Sequence, residues 1–433
     1  MYRAGINELK NWKIKKNRKP LLFLGARQVG KTWLLQEFGK TEYRQMVYVN
    51  FEDQDAPIDI FKDNFNIDRI ITLLNAYMEL EITAKDTLIV FDEIQTAPRG
   101  LTSLKYFYEN APEYHVIAAG SLLGVNIHPG ESFPVGKVDF LTLHPLSFTE
   151  FLLAMGERGI VELIEQREWE LVNAFSLKLI NYLRYYFFIG GMPEAVKSFS
   201  QNRNWNEVRI IQNSILKSYE SDFSKHAPKE ILPRINLVWR TIPAQLAKEN
   251  KKFFYGAIKE GARAREYEIA IQWLIDSGLL HKVYNVSKPG LPLVAYQELS
   301  AFKIYHNDIG LLSAMSNLNA KTLLKGDAVF VEFKGALAEQ YVFQHLLLNE
   351  KLVVNYYQIN NRLEMDFVIQ NEDDEIVPVE VKSGENLNAK SLKVYCEKFK
   401  PQTAIRTSLS NYRQEDWMTN VPLYIIENYL KNQ

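Results

Sequence analysis

Residues 21–32 read Leu-Leu-Phe-Leu-Gly-Ala-Arg-Gln-Val-Gly-Lys-Thr, a segment that leaves little freedom in how the chain around it folds. Four apolar residues led in by Lys19-Pro20 spell a buried strand. A glycine-bounded loop follows, and the amphipathic run 33–38 opens a helix. The loop satisfies every fixed position of G-x-x-x-x-G-K-[ST]. The chemistry demands these residues, because glycines let backbone N–H groups curl round a polyphosphate and the helix N-terminus adds favourable partial charge. The spacing predicts ATP held by Gly25, Ala26, Arg27, Gln28, Val29, Gly30, Lys31, Thr32 and Trp33. Lys31 is expected to reach the β- and γ-phosphates and the Thr32 hydroxyl to coordinate Mg2+.

A second apolar strand, residues 87–91, ends in Asp92-Glu93. A carboxylate at the carboxyl end of a neighbouring parallel strand lies beside such a loop. Asp92 is expected to hold Mg2+ through water and Glu93 to polarise the attacking water as general base, with Gln95 a weaker candidate for a polar contact near the γ-phosphate. Further strands at 45–50 and at 115–119, the latter running into Gly120-Ser121, predict an α/β sheet of the additional-strand P-loop layout. Ser121, at a strand tip, is the candidate sensor of the nucleotide.

The 433 residues exceed what one hydrophobic core holds, and 47% apolar with 24% charged residues is ordinary globular composition. The formal net charge of -1 provides no global positive field, so any contact with DNA has to come from a local patch. One cysteine, Cys396, excludes an intrachain disulfide and a Cys-rich zinc site. The first twenty residues lack the apolar core of a signal peptide, and no run approaches the ~18 apolar residues that span a bilayer. A soluble cytoplasmic protein with no membrane partner is the expectation.

From 157 to 220 the apolar residues recur at helical spacing, broken by Gly190-Gly191-Met192-Pro193, whose glycines suit a hinge or close packing. Beyond this the pattern predicts helices at 234–248, 254–260 and 265–277, then strands at 282–286 and 293–296, a winged-helix order. Lys251, Lys252, Lys259, Arg263 and Arg265 outweigh Glu260 there. This basic excess suits either a DNA-contacting surface or solvated helix ends.

The last hundred residues predict a helix at 333–348 carrying Glu339, strands at 353–358, 364–369 and 377–382, a helix at 387–398, and strands at 402–406 and 423–426. Period-two alternation puts Glu380 and Lys382 on one face, with Asp366 supplied by the preceding strand. Asp366, Glu380 and Lys382 then form a PD-(D/E)xK constellation, resembling the restriction-endonuclease-like α/β fold. Asp366 and Glu380, helped by Glu339, are expected to hold one or two Mg2+ ions, and Lys382 to stabilise the attacking hydroxide or the charged transition state.

Taken in order, GARQVGKT, FDEIQTAP, AAGSLLG, LHPLSFTEFL (143–152), GGMPEAV (190–196) and the segment 302–311 resemble the bacterial and archaeal AAA-type ATPases with a C-terminal domain of unknown function, DUF4143. The family's Gly-Arg pair before the PLSF segment is Gly136-Lys137 here, a poorer planar fork. The resemblance implies an AAA-like P-loop ATPase over 1–155, a helical lid and winged-helix region over 156–325, and a nuclease-like domain over 326–433. Two metal-type sites on one chain make ATP hydrolysis coupled to DNA binding or processing the leading expectation. The alternative is a nucleotide-dependent switch whose C-terminal domain binds a protein partner without cleavage. Arg27, Arg99 and Arg184 are open candidates for an arginine finger, and a homo-oligomer is equally open.

Overall fold

The short apolar runs that flank the phosphate loop become one parallel sheet. In the computed structural model, which describes residues 1–120, 133–247, 252–325, 331–359, 363–384 and 389–431, these runs are β1 (Leu21–Leu24), β2 (Gln45–Asn50), β3 (Thr87–Asp92) and β4 (His115–Ala119), joined by β5 (Asp139–Thr142). The order is β2-β3-β4-β1-β5, with every pairing parallel. β1, β3 and β4 are buried along their whole length, as a parallel sheet covered on both faces requires. Around it lie α1 (Gly5–Ile14), α2 (Lys31–Glu42), α3 (Ile67–Met78) and α4 (Gly100–Asn110). Val47, Ile70, Leu74, Phe91, Leu104 and Phe107 sit in one core cluster. The acidic strand β3 is not the immediate neighbour of β1; β4 lies between them. The expected adjacency is thus corrected, and the additional strand sits where that layout places it. Ser121 lies outside the described residues.

The backbone divides into two compact units, Tyr2–His144 with Asp276–Gly278, and Pro145–Ile275 with Leu279–Gln433. No helix among the described residues is long and apolar enough to cross a membrane.

The second unit begins with α5 (Phe148–Ala154), α6 (Ser176–Ile189), α7 (Pro193–Asn202), α8 (Trp205–His226), α9 (Leu232–Leu246) and α10 (Ala264–Asp276). It continues through β6 (Leu280–Val286), β7 (Gln297–His306), α11 (Ile309–Met315), α12 (Val331–Leu346), β8 (Val353–Ile359), β9 (Leu363–Gln370) and β10 (Ile376–Val381). After α13 (Lys390–Phe399) come β11 (Ile405–Ser408), β12 (Arg413–Gln414), β13 (Thr419–Pro422) and α14 (Ile426–Leu430). The strands form an eight-stranded sheet, β12-β13-β11-β10-β9-β8-β6-β7. β8, β9 and β10 pair antiparallel, whereas β11 joins β10 in parallel after the α13 crossover.

Three expectations shift. The hairpin foreseen as a wing pairs through β6 with β8 and extends the C-terminal sheet, while Leu293–Tyr296 is a 3-10 turn that precedes β7. At 254–260 only Tyr255–Ala257 is helical, a 3-10 turn containing helix-disfavouring Gly256. The last strand is Thr419–Pro422 and not 423–426; Pro422 ends it, and a 3-10 turn leads into α14.

The double glycine is a close-packing site. Gly190 has φ +74°, and a Cβ there would lie 2.7 Å from Gly310 Cα; one on Gly191 would lie 2.2 Å from the Leu146 carbonyl oxygen. Asp308 ties the region together, its carboxylate accepting from Gly191 N at 2.6 Å and, as the N-cap of α11, from Leu311 N at 2.9 Å.

Candidate nucleotide site and C-terminal carboxylate site

The loop between β1 and α2 is held by close backbone approach. Gly25 has φ +156° and any Cβ would meet the Leu143 carbonyl oxygen at 2.5 Å, whereas Gly30, at φ +93°, starts α2 in a left-handed conformation. Lys31 is buried and its ammonium donates to the carbonyls of Gly25 (2.8 Å) and Ala26 (3.1 Å). Burial pushes its pKa down to about 8 against the pull of Glu93 and Asp92.

Thr32, next on α2, donates its hydroxyl to Asp92 Oδ2 at 3.3 Å, so the two residues expected to share a cation are in contact. The other Asp92 oxygen accepts from Glu93 N at 3.0 Å. Glu93 has φ +50°, and its carboxylate, raised above the usual range by burial, accepts from the Gln95 amide. The structure therefore gathers Lys31, Thr32, Asp92, Glu93 and Gln95.

Tyr48 was missed by sequence reasoning: from β2 its hydroxyl donates to Asp92 Oδ2. The available signal was a polar side chain near the tip of a strand whose register puts Asn50 beside Asp92. Arg27 lies 3.9 Å from Glu52. Arg99 stacks on Phe65 and donates to the Lys62 carbonyl at 2.7 Å, and Lys137 pairs with Glu109 at 3.0 Å.

In the second unit, Val379 faces Phe367 across the β9–β10 ladder. One step further along that register sets Glu380 opposite Asp366. Glu380 is also the register partner of Arg406 on β11, and Arg406 that of Asn420 on β13. Glu380 is 3% exposed; its Oε1 lies 2.8 Å from Lys382 Nζ, and its Oε2 has no hydrogen-bond partner among the described residues. Asp366 Oδ2 accepts from Val381 N at 2.7 Å.

Glu339 is engaged differently. It lies 3.6 Å from Lys303 and accepts from the Tyr305 hydroxyl at 3.3 Å. Lys303 is fully buried, and although burial opposes its charge, Glu339, Glu364 and Asp366 together hold the ammonium well above its usual range. Among the described residues no group of three or more His, Cys, Asp or Glu side chains is arranged to hold a metal ion. Asp366, Glu380 and Lys382 thus come together, while the Glu339 carboxylate faces a buried lysine.

Comparison with known proteins gives three family matches along the chain. Residues 17–152 match the AAA domain family AAA_14, residues 180–322 a domain of unknown function, DUF8612, and residues 334–426 another, DUF4143. The first part of the chain is thus similar to the AAA domain family, in keeping with its P-loop, and the last part to the DUF4143 family. The uncharacterized protein MJ1544 of Methanocaldococcus jannaschii is 23% identical over 392 residues, covering 86% of this chain and 76% of that protein. Among solved structures, the Walker-type ATPase PABY2304 of Pyrococcus abyssi is similar at 13% identity and a TM-score of 0.45, over 73% of this chain and 95% of that one. The Orc1 protein of Aeropyrum pernix in complex with DNA is similar at 13% identity and a TM-score of 0.28, over 73% and 92%.

Proposed function

We propose that the chain hydrolyses ATP at the P-loop with Mg2+, and that this cycle drives DNA binding or processing through a nuclease-like domain, in the three-part arrangement 1–155, 156–325 and 326–433. The carrying observation is the 3.3 Å approach of Thr32 Oγ1 to Asp92 Oδ2 beside a buried Lys31. Two hard oxygen donors at that spacing fit Mg2+, which when bound neutralises charge on the β- and γ-phosphates. Lys31 exchanges its two loop carbonyls for phosphate oxygens. Glu93, with a raised proton affinity, takes a proton from the attacking water, and Gln95 holds the Glu93 carboxylate in place.

For the C-terminal domain, the support is the helix-strand-strand-strand-helix-strand order with Asp366, Glu380 and Lys382 at its centre. The buried unpartnered Glu380 oxygen beside Asp366 fits a hard cation, with Lys382 countering charge on a phosphodiester. The exposed Lys252, Lys259, Arg263 and Arg265 are the basic side chains that a DNA backbone would meet. The second reading, a nucleotide-dependent switch with a non-cleaving partner-binding domain, is favoured by the 2.8 Å Glu380–Lys382 pair and by the use of Asp366 as a backbone cap.

The test is Mg2+-dependent ATP turnover and DNA cleavage by wild type, Lys31→Ala, Glu93→Gln and Asp366→Ala. The proposal expects Lys31→Ala and Glu93→Gln to abolish turnover and Asp366→Ala to abolish cleavage alone. Turnover without any cleavage of DNA favours the switch, and absence of ATP turnover in wild type refutes the ATPase reading.

A further inference from the structure

Arg3 precedes α1 and is 4% exposed, an unusual burial for an arginine. Its guanidinium bridges two backbone carbonyls from distant parts of the nucleotide unit: Nη1 donates to Val29 O at 2.9 Å and Nη2 to His144 O at 2.6 Å. Val29 belongs to the phosphate loop itself. His144 follows Leu143, whose N–H donates to Leu24 O at 2.8 Å and whose carbonyl sits where a Cβ on Gly25 would clash. Segment 143–144 is therefore fastened to the start of the loop by direct contact and to its end through Arg3.

The consequence follows from peptide geometry. Cis peptides among the described residues are confined to Leu291-Pro292, so the Val29–Gly30 peptide is trans. In a trans peptide the C=O and N–H point in opposite directions. A guanidinium that fixes the Val29 carbonyl on one side fixes the Gly30 N–H on the other, and Gly30 is the loop residue that begins α2. Such a carbonyl, left free, would compete with the amides for orientation toward an anion. Arginine suits this role because its planar fork offers two parallel donors, which a lysine ammonium cannot present to two carbonyls in fixed geometry.

We infer that Arg3 is a positioning residue for the nucleotide, locking the Val29–Gly30 peptide in the phosphate-binding orientation and making the phosphate loop and segment 143–144 a single mechanical element. Loop displacement on nucleotide binding is then passed along the backbone at Leu143-His144, where the chain leaves the nucleotide unit. The inference rests on the reading of this loop as an ATP site.

The experiment measures ATP and ADP affinity, thermal stability without nucleotide, and amide hydrogen exchange over 141–150 with and without ATP, in full-length wild type, Arg3→Met and Arg3→Lys. Arg3→Met keeps the apolar stem, and Arg3→Lys keeps the charge without the fork. Affinity is expected to fall about tenfold in both variants, in the range of a lost charge-assisted hydrogen bond, and the ATP-dependent change in exchange over 141–150 to disappear. If wild type binds no ATP, the site reading itself fails. If wild type binds ATP and the variants bind it equally well, or if lowered nucleotide-free stability accompanies unchanged affinity and exchange response, Arg3 is structural only and the inference is overturned. Should Arg3→Met not fold, Arg3→Lys decides the matter by the same readouts.

Discussion

Burying Lys31 makes nucleotide affinity depend on pH with a calculable sign. In the nucleotide-free protein its pKa is pushed down to about 8, whereas a bound polyphosphate favours the charged form and raises it. At pH 7 about 90% of the molecules carry the ammonium, and at pH 9 about 10%, so binding at the higher pH has to take up a proton. Affinity is therefore expected to fall about tenfold between pH 7 and 9, equivalent to about 1.4 kcal/mol. The ligand contributes little to this trend, because phosphate second ionisations lie near pH ~6 and ATP keeps its charge through the window. Titration calorimetry in two buffers of different ionisation enthalpy reads both quantities, the affinity and a net uptake approaching one proton above pH 8. Lys31→Met should bind more weakly and lose the slope. An affinity flat from pH 7 to 9, or the same slope in Lys31→Met, refutes the assignment of Lys31 as the buried phosphate ligand.

Tyr48→Phe removes one donor from Asp92 and is expected to reduce ATP turnover several-fold, about 1 kcal/mol, with little change in the melting curve; unchanged turnover would remove Tyr48 from the site. Gly191→Ala drives a methyl into the Leu146 carbonyl, 2.2 Å away, and should cost upward of ~2 kcal/mol. Gly159→Ala, in the helix Arg158–Glu165 and with nothing within 4 Å of an added Cβ, should gain ~0.5–1 kcal/mol. Chemical denaturation of the two variants checks the contrast. Burial alone would raise Glu427, but Lys431 at 2.7 Å and His345 outweigh it and hold the carboxyl at about 2. A depressed folded pKa contributes stability above the unfolded value near 4.5 and loses it as the pH falls toward 2. Glu427→Gln should accordingly destabilise the chain at pH 7 by on the order of 2 kcal/mol and flatten the acid limb of its stability profile.

Much of the nucleotide unit was legible because its signals are local. A strand of apolar residues, two glycines and a helix start lie within a dozen positions, and only that order of conformations places N–H groups around a phosphate. Asp92-Glu93 was legible for the same reason, as a polar ending on a buried strand. The order of the C-terminal elements from α12 through β11 followed from local hydrophobic periodicity, and the shared face of Glu380 and Lys382 from alternation. The wing was misread because a hairpin has the same local pattern whichever sheet it joins, and the pairing of β6 with β8 involves residues some seventy positions apart. Leu293–Tyr296 was misread because a short apolar run does not distinguish a strand from a turn.

Local pattern alone was enough to find the phosphate loop and the acidic end of β3, and to locate the carboxylates of the second constellation along the chain. It took the folded chain to show that β4 separates β1 from β3, that Tyr48 reaches Asp92, that Glu339 is engaged by Lys303 and Tyr305, and that Arg3 spans from Val29 to His144. The difference is one of separation along the chain. Backbone propensity and periodicity act over a few residues, whereas a hydrogen bond across 141 positions exists only after packing has brought its two ends together.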